Sequence, residues 1–252
     1  LQLILGDCLE KLKDIPDKSI DFVLTDPPYN LTHCKWDELL DFNEVFFELK
    51  RIIKDNGVIA LFGTEPFSSK LRSIGQDIYK YDWYWKKCKS LGANFCHAKN
   101  SPIKTIETIS IFSHGKINHI GKTKNRMNYN PQGLIVCKPI HSHHKFGKIS
   151  SFRKYIERPS HKKYKRTITN YPDQIIDFKF STEERKNRYH PTQKPVALLE
   201  YLIKTYTLEG ETVLDFTMGS GSTGVAAKNL NRKFLGIEKD VQFFKIAKNR
   251  IG

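Results

Sequence analysis

At 252 residues, with 39% hydrophobic and 27% charged side chains, the chain is long enough to bury a real core as one domain of enzyme size, or one domain carrying a large insertion. This composition excludes a collagen, a coiled coil and a disordered chain. The net charge of +15 points to a polyanionic partner, and it is unevenly spread: residues 115 to 190 hold 18 Lys and Arg against 5 Asp and Glu, +13 of the total.

In chain order, "LQLILG" reads as a strand, "DCLEKLKD" as a helix and "IDFVLTD" as an apolar strand. No apolar run reaches the length of a membrane span, and the first ten residues lack the basic region and cleavage site of a signal peptide, so a soluble cytoplasmic protein with no membrane partner is expected. The start at Leu1 rather than at a methionine suggests that a tag or a few residues are missing. The strand ends on "TDPPYN", where Asp26 is followed by Pro27, Pro28 and Tyr29. Two adjacent prolines stop the strand ladder and fix two φ angles, so a carboxylate, a carbonyl and an aromatic ring are held at one strand end. Next come a helix in "LDFNEVFFELKRIIKD", whose Phe42, Val45, Phe46, Leu49, Ile52 and Ile53 recur at three and four, the strand "GVIALFG", the helix "EPFSSKLRSIGQ" and the strands "YDWYWKK" and "TIETISIFS".

The basic segment that follows has no such rhythm. Within "FRKYIERPSHKKYKR", Phe152, Tyr155 and Tyr164 interleave with cations, a pattern that neutralises phosphates and offers rings to stack or wedge, with a solvated basic surface as the plainer alternative. His141, His143 and His144 in "HSHH" lack a second ligand pair at zinc spacing, and five scattered cysteines (Cys8, Cys34, Cys88, Cys96, Cys137) contain no C-x-x-C, so no metal site and reduced thiols are expected. Regularity returns with the helix "KPVALLEYLIKTY", the strand "TVLDFTM", the helix "GSTGVAAKNLN", the strand "KFLGIEKD" and the helix "VQFFKIAKNRI". Strands alternating with helices predict an α/β fold, a Rossmann-like, mostly parallel sheet with helices on both faces, interrupted by the basic insertion.

"GSGSTG", Gly219 to Gly224, fits G-x-G-x-x-G at a strand-to-helix turn, and Glu238 closes the next strand 23 positions after Asp215. That layout suits a nucleotide: glycines let the backbone approach the ligand, and the carboxylate accepts hydrogen bonds from ribose hydroxyls. It fits a nicotinamide-dependent oxidoreductase as well as a site for S-adenosylmethionine. Two details favour the sulfonium cofactor. Asp215 stands where a cationic amino-acid end could be held but a pyrophosphate would be repelled, and hydride transfer has no use for the platform at residues 26 to 29.

Taken together, "TDPPYN", then "HPTQKPVALLEYLI" and "VLDFTMGSGSTGVAAKNLNRKFLGIEKD", with a variable basic segment between, resemble the amino-methyltransferases of DNA, and their order resembles the β group of that family. The resemblance implies that Asp26, Pro27, Pro28 and Tyr29 form the catalytic tetrapeptide. It further implies that Asp215, Phe216, Gly219 and Gly221 form the cofactor loop, with Asp26 beside it, that Glu238 binds ribose and that Asp7 lies near adenine. His190, Thr192, Lys194 and Pro195 would close over the methionine end of S-adenosylmethionine. One departure stands out. The family commonly reads D-P-F-x-G-S-G, whereas here Phe216 comes one place early and Thr217 occupies the place of the ring.

The chemistry explains the residues. An exocyclic amine is a poor nucleophile because its lone pair is delocalised into the ring. Acceptors at the Asp26 carboxylate and the Pro27 carbonyl would take its two hydrogens, favour pyramidal nitrogen and interact best with the charge of the transition state. Tyr29 would stack on a base extruded from the duplex. The expected activity is therefore methylation of adenine N6 within double-stranded DNA, since Asp at the first tetrapeptide position leans toward adenine in this family, with N4 of cytosine as the alternative. Residues 1–114 are expected to form the catalytic part, 115–189 the target-recognition insertion and 190–252 the cofactor-binding part. A non-catalytic DNA-binding protein is the remaining rival, and the resemblance is compatible with a homodimer and with a cognate restriction endonuclease as functional counterpart.

Overall fold

The computed structural model describes residues 1–29, 40–87, 98–117, 125–141, 165–190 and 192–252. The chain opens with β1 (Gln2–Leu5), α1 (Cys8–Lys13), β2 (Ile20–Thr25), α2 (Phe42–Ile52), β3 (Ile53–Gly63), α3 (Phe67–Ile74), β4 (Tyr79–Lys86) and β5 (Ile106–Phe112). The middle holds β6 (Ile135–His141), β7 (Lys165–Thr169), β8 (Ile175–Ile176) and α4 (Thr182–Lys186). The C-terminal stretch forms α5 (Val196–Tyr206), β9 (Thr212–Asp215), α6 (Ser222–Asn229), β10 (Lys233–Glu238) and α7 (Val241–Ile251). Every strand and helix expected outside the basic segment is present.

Eight strands form one sheet in the order β1-β10-β9-β2-β3-β5-β4-β8. The pairings from β1 through β10, β9 and β2 to β3 are parallel, and β5 runs antiparallel to both β3 and β4. Period-two alternation sends β2 and β3 to both faces. Phe22, Leu24, Val58, Ala60 and Phe62 pack with residues of α5, α6 and α7. Val23, Ile59 and Leu61 pack with residues of α1, α2 and α3. The apolar stripe of α2 is fully used: Val45, Leu49 and Ile52 are each 0% exposed, and each such burial contributes roughly 1.5–3 kcal/mol. Asp41 starts this helix by accepting the Asn43 N–H at 2.9 Å.

Two compact units result, one of residues Leu1–Asn130 with Asp173–Gly252, the other of Pro131–Pro172. The second unit is therefore narrower than the insertion expected over 115–189. Charge does not mark its edges. Lys116 and Arg126 form an isolated bridge, Met127 and Ile176 are buried in the core of the α/β unit, and β8 extends the main sheet beside β4. The second unit contains the antiparallel pair β6 and β7, which a pattern of alternating apolar residues did not announce. Beside that pair Asn170, at φ +62°, donates to the Gly133 carbonyl at 2.6 Å.

Candidate active site

Because β1, β10, β9 and β2 are parallel neighbours, their carboxyl ends lie side by side. Register places Leu5 opposite Glu238 and Gly236 opposite Asp215. The four acids Asp7, Glu238, Asp215 and Asp26, far apart in sequence, thus follow the order of these strands along one edge. They line a cleft of about 480 Å³ together with Tyr29, Phe62, His190, Thr192, Gln193, Lys194, Phe216, Met218, Gly219 and Phe243, a volume typical of small-molecule sites.

The glycine-loop end is built mostly from neighbours in sequence. Gly219 and Gly221 take φ +52° and +81°, a left-handed conformation that only glycine adopts freely. At Gly221 a Cβ would lie 2.8 Å from Ile251 and 2.9 Å from Ala247, whereas at Gly219 it would meet nothing within 4 Å. Glu238 accepts the Gly219 and Asp240 N–H groups, each at 2.8 Å, and burial raises its pKa against these donors. Asp7 caps α1 by accepting the Leu9 N–H at 2.8 Å.

Asp215 is 4% exposed and its pKa is pushed up to about 6, by burial first, although the hydroxyls of Thr223 and Thr25 and the Thr217 N–H oppose the shift. The Thr25 hydroxyl donates to Asp215 Oδ1 at 2.6 Å. Having spent its only hydrogen there, it accepts from Thr217 Oγ1 at 2.7 Å. The threonine standing where the family commonly has a ring therefore completes a hydroxyl chain onto the carboxylate. Phe216, one place early, is 1% exposed and packs into the core beside Ile237 while lining the cleft.

At the other end, Asp26 follows β2 with Pro27 buried behind it. Its carboxylate is occupied on both oxygens. Oδ1 accepts the Tyr29 hydroxyl, and Oδ2 accepts the Lys194 ammonium at 2.5 Å. The Tyr29 ring lies tilted against Phe67 with centroids 4.9 Å apart. Burial raises the Asp26 pKa; Lys194 opposes that rise and Glu107 adds to it. Lys194, expected at the methionine end of the cofactor, lines the cleft with its ammonium between Asp26 and Glu107, 5.0 Å from the Phe62 ring centroid.

His190 packs on Phe243 at 4.4 Å, and its Nδ1 meets the Thr192 hydroxyl at 2.9 Å. Burial lowers its pKa, as does the nearby Lys194. Pro195 precedes α5, whose first N–H, on Val196, donates to Glu184 of α4 at 2.8 Å. Sequence reasoning missed Thr25, Glu107 and Gln193. Buried Gln193 accepts the Tyr189 N–H at 3.2 Å, which fixes its amide orientation, and its Nε2 finds no partner among the described residues.

S-adenosylmethionine fits this cleft. Phe216, Met218 and Phe243 offer apolar walls, and the unpaired Gln193 N–H donor suits a carboxylate. Asp7, Asp26, Asp215, Glu238 and Asp240 outnumber the lining ammonium groups of Lys194 and Lys239, a balance that favours a cation over a pyrophosphate. Among the described residues no three His, Cys, Asp or Glu side chains come together as metal ligands, and no helix is long and apolar enough to cross a membrane. Asn30, Cys34, Cys88, Cys96, His143, His144, Phe152, Tyr155, Tyr164 and Pro191 lie outside the described residues.

The chain is similar to known proteins. A family model described as DNA methylase matches residues 20–249. The type II methyltransferase M.HpaI of Haemophilus parainfluenzae is 29% identical over 99% of this chain and 74% of its own length. DNA adenine methyltransferase YhdJ of Escherichia coli is 28% identical over 99% of the chain and 82% of its own. Among solved structures, the M1.HpyAVI–SAM complex superposes with a TM-score of 0.63 at 24% identity, covering 100% of this chain and 98% of that one. The cytosine-N4-specific PvuII DNA methyltransferase reaches 0.65 at 17% identity, covering 99% and 86%.

Proposed function

The chain belongs to the DNA methylase family of N6 and N4 amino-methyltransferases, and on that premise we propose that it methylates N6 of adenine in double-stranded DNA, using S-adenosylmethionine. The observation that carries this reading is the row of carboxylates along one sheet edge, ending at Asp26, whose side chain is 20% exposed and lines a cleft fit for the donor. Adenine is favoured by Asp26 as the first residue of the tetrapeptide and by the name of the YhdJ relative. The PvuII enzyme, described as cytosine-N4-specific on the same fold, makes N4 of cytosine the second reading.

Asp215, Glu238 and Asp7 would hold the cofactor's amino-acid, ribose and adenine parts, with Phe216 and Phe243 as walls and the Gln193 amide toward the carboxylate. When bound, S-adenosylmethionine supplies an electrophilic methyl group on a sulfonium sulfur. The Asp26 carboxylate and the Pro27 carbonyl accept the two amine hydrogens and orient the nitrogen lone pair. Asp26 then takes the surplus proton, a task suited to a carboxylate whose pKa burial has raised. Tyr29, lining the cleft, offers its ring to the extruded base. A nicotinamide would bring its pyrophosphate to the same acidic edge, which disfavours that rival.

Target recognition falls, in this reading, to residues 131–172, which carry ten Lys and Arg against Glu157 alone. A second copy of the chain and a cognate restriction endonuclease are the partners proposed besides DNA, the latter because relatives are named type II methyltransferases. The test is to incubate the protein with S-adenosylmethionine and mixed-sequence duplex DNA, digest to nucleosides and weigh the bases. N6-methyladenine is expected. N4-methylcytosine would move the reading to the second base, and no methylated base with cofactor bound would leave a non-catalytic DNA-binding protein.

A further inference from the structure

Glu107 does not line the cleft, yet it reaches every group that occupies Asp26. Its Oε1 lies 2.7 Å from the Lys194 ammonium and 3.3 Å from the Tyr29 hydroxyl, the two donors bound to the Asp26 carboxylate. Its Oε2 takes the ammonium of Lys87, which follows β4 and is 44% exposed. Glu107 itself sits on β5 with its side chain 4% exposed, a burial that carboxylates seldom accept without paired charge. Burial alone would raise its pKa, but Lys194 and Lys87 overcome that effect and hold it down. Asp26 and Glu107 thus share Lys194, with Lys87 as the second cation, and the set is balanced overall. Among the described residues, Asp215 also lies in electrostatic reach of Asp26.

A target amine must compete for Asp26, because in this structure each of its oxygens already holds a donor. Releasing Lys194 into a buried cleft without another carboxylate would leave an unpaired charge. We infer that Glu107 is a positioning residue that receives the Lys194 ammonium and the Tyr29 hydroxyl as the base enters, so that Asp26 is freed to accept its amine hydrogen. Both donors need only small shifts, because their second acceptor is already beside them. A freed Asp26 also faces the negative charge of Glu107, which makes it the better proton acceptor. This inference rests on the methyl-transfer reading above.

The experiment compares wild type, E107Q and E107D in methyl transfer to mixed-sequence duplex DNA from pH 5 to 9, in S-adenosylmethionine binding, and in the 13C-carboxyl titration of Asp26, assigned with Asp26→Asn. In E107Q, kcat is expected to fall about tenfold to a hundredfold, with cofactor Kd within about twofold. Asp26 should titrate at lower pH, since a repelling charge is gone and Lys194 binds it alone. In E107D the charge remains but the carboxylate is withdrawn, so kcat falls less and Asp26 titrates near its wild-type position. If E107Q does not fold, E107D carries the test through its lower kcat. A variant that melts earlier but keeps wild-type kcat and Asp26 titration would overturn the proposal and leave Glu107 a structural neutraliser of two lysines. A wild type that methylates no base would instead remove the reading on which it rests, whatever Asp26 titrates like.

Discussion

The two ends of the cleft are assembled in different ways. At the glycine-loop end, contacts such as Glu238 with Asp240 or Asp215 with Thr217 join residues two apart, and even the Glu238 contact with Gly219 spans only 19 positions. At the Asp26 end, Lys194 reaches back 168 positions and the Tyr29 hydroxyl reaches Glu107 across 78. The first end is a local loop, bound by backbone N–H donors and left-handed glycines. The second is a charge cluster that exists only when strands and loops from separate parts of the chain have met. The difference teaches that the glycine-loop geometry can persist when the catalytic cluster is damaged, while the cluster depends on partners distant in sequence for its buried charge pairing.

Asp26→Ala tests this separation most severely. Methyl transfer should fall by at least about a hundredfold to a thousandfold, the scale of losing a positioned transition-state contact, while S-adenosylmethionine affinity, measured by calorimetry, changes little. A comparable loss of cofactor binding would show the two ends to be one unit, and an active variant would sink the role given to Asp26.

Asp215→Asn should weaken cofactor binding about tenfold at pH 8, as expected for losing one opposed charge. Wild-type affinity should decline as pH drops below about 6, where Asp215 takes up a proton, and the variant should show no such step. Stability has the opposite sign. With a folded pKa near 6 against an ordinary 3.8, the folded cofactor-free protein binds more protons than the unfolded chain between these values, so this contribution is lost as pH rises through that window. The variant should therefore melt higher than wild type at pH 8 and lose that advantage near pH 4. A flat melting difference across this range would contradict the assignment.

The glycines give the smallest effects. Gly221→Ala meets both a left-handed φ and the side chains of Ile251 and Ala247, a cost of about 2–3 kcal/mol. Gly219→Ala meets only the backbone term of about 1 kcal/mol. Thermal melts should rank wild type above Gly219→Ala and Gly219→Ala above Gly221→Ala; the reverse order of the two variants would mean that the loop packs differently on α7.

Much of this was legible in advance. The helix periodicity of α2, the buried strand "IDFVLT" and the turn signals of "GSGSTG" are local, and each reports on its own few residues. The second unit was only partly legible, because net charge marks a partner rather than a fold boundary: Ile176 and Met127 belong to the main core despite their basic surroundings. Thr217 read as a departure from a motif, and its hydroxyl chain to Asp215 becomes visible only once β2 and β9 are neighbours.

The sequence by itself determined the order of strands and helices outside the basic segment and the two motifs, because periodicity, proline stiffness and glycine freedom act over a few residues. Tertiary structure alone decided that Asp7, Glu238, Asp215 and Asp26 share one edge, and that the Lys194 ammonium pairs with both Asp26 and Glu107. The physical reason is that strand order and buried charge pairing are long-range. A lysine's partner is whichever carboxylates share its low-dielectric pocket, and no local pattern announces which strands will build that pocket.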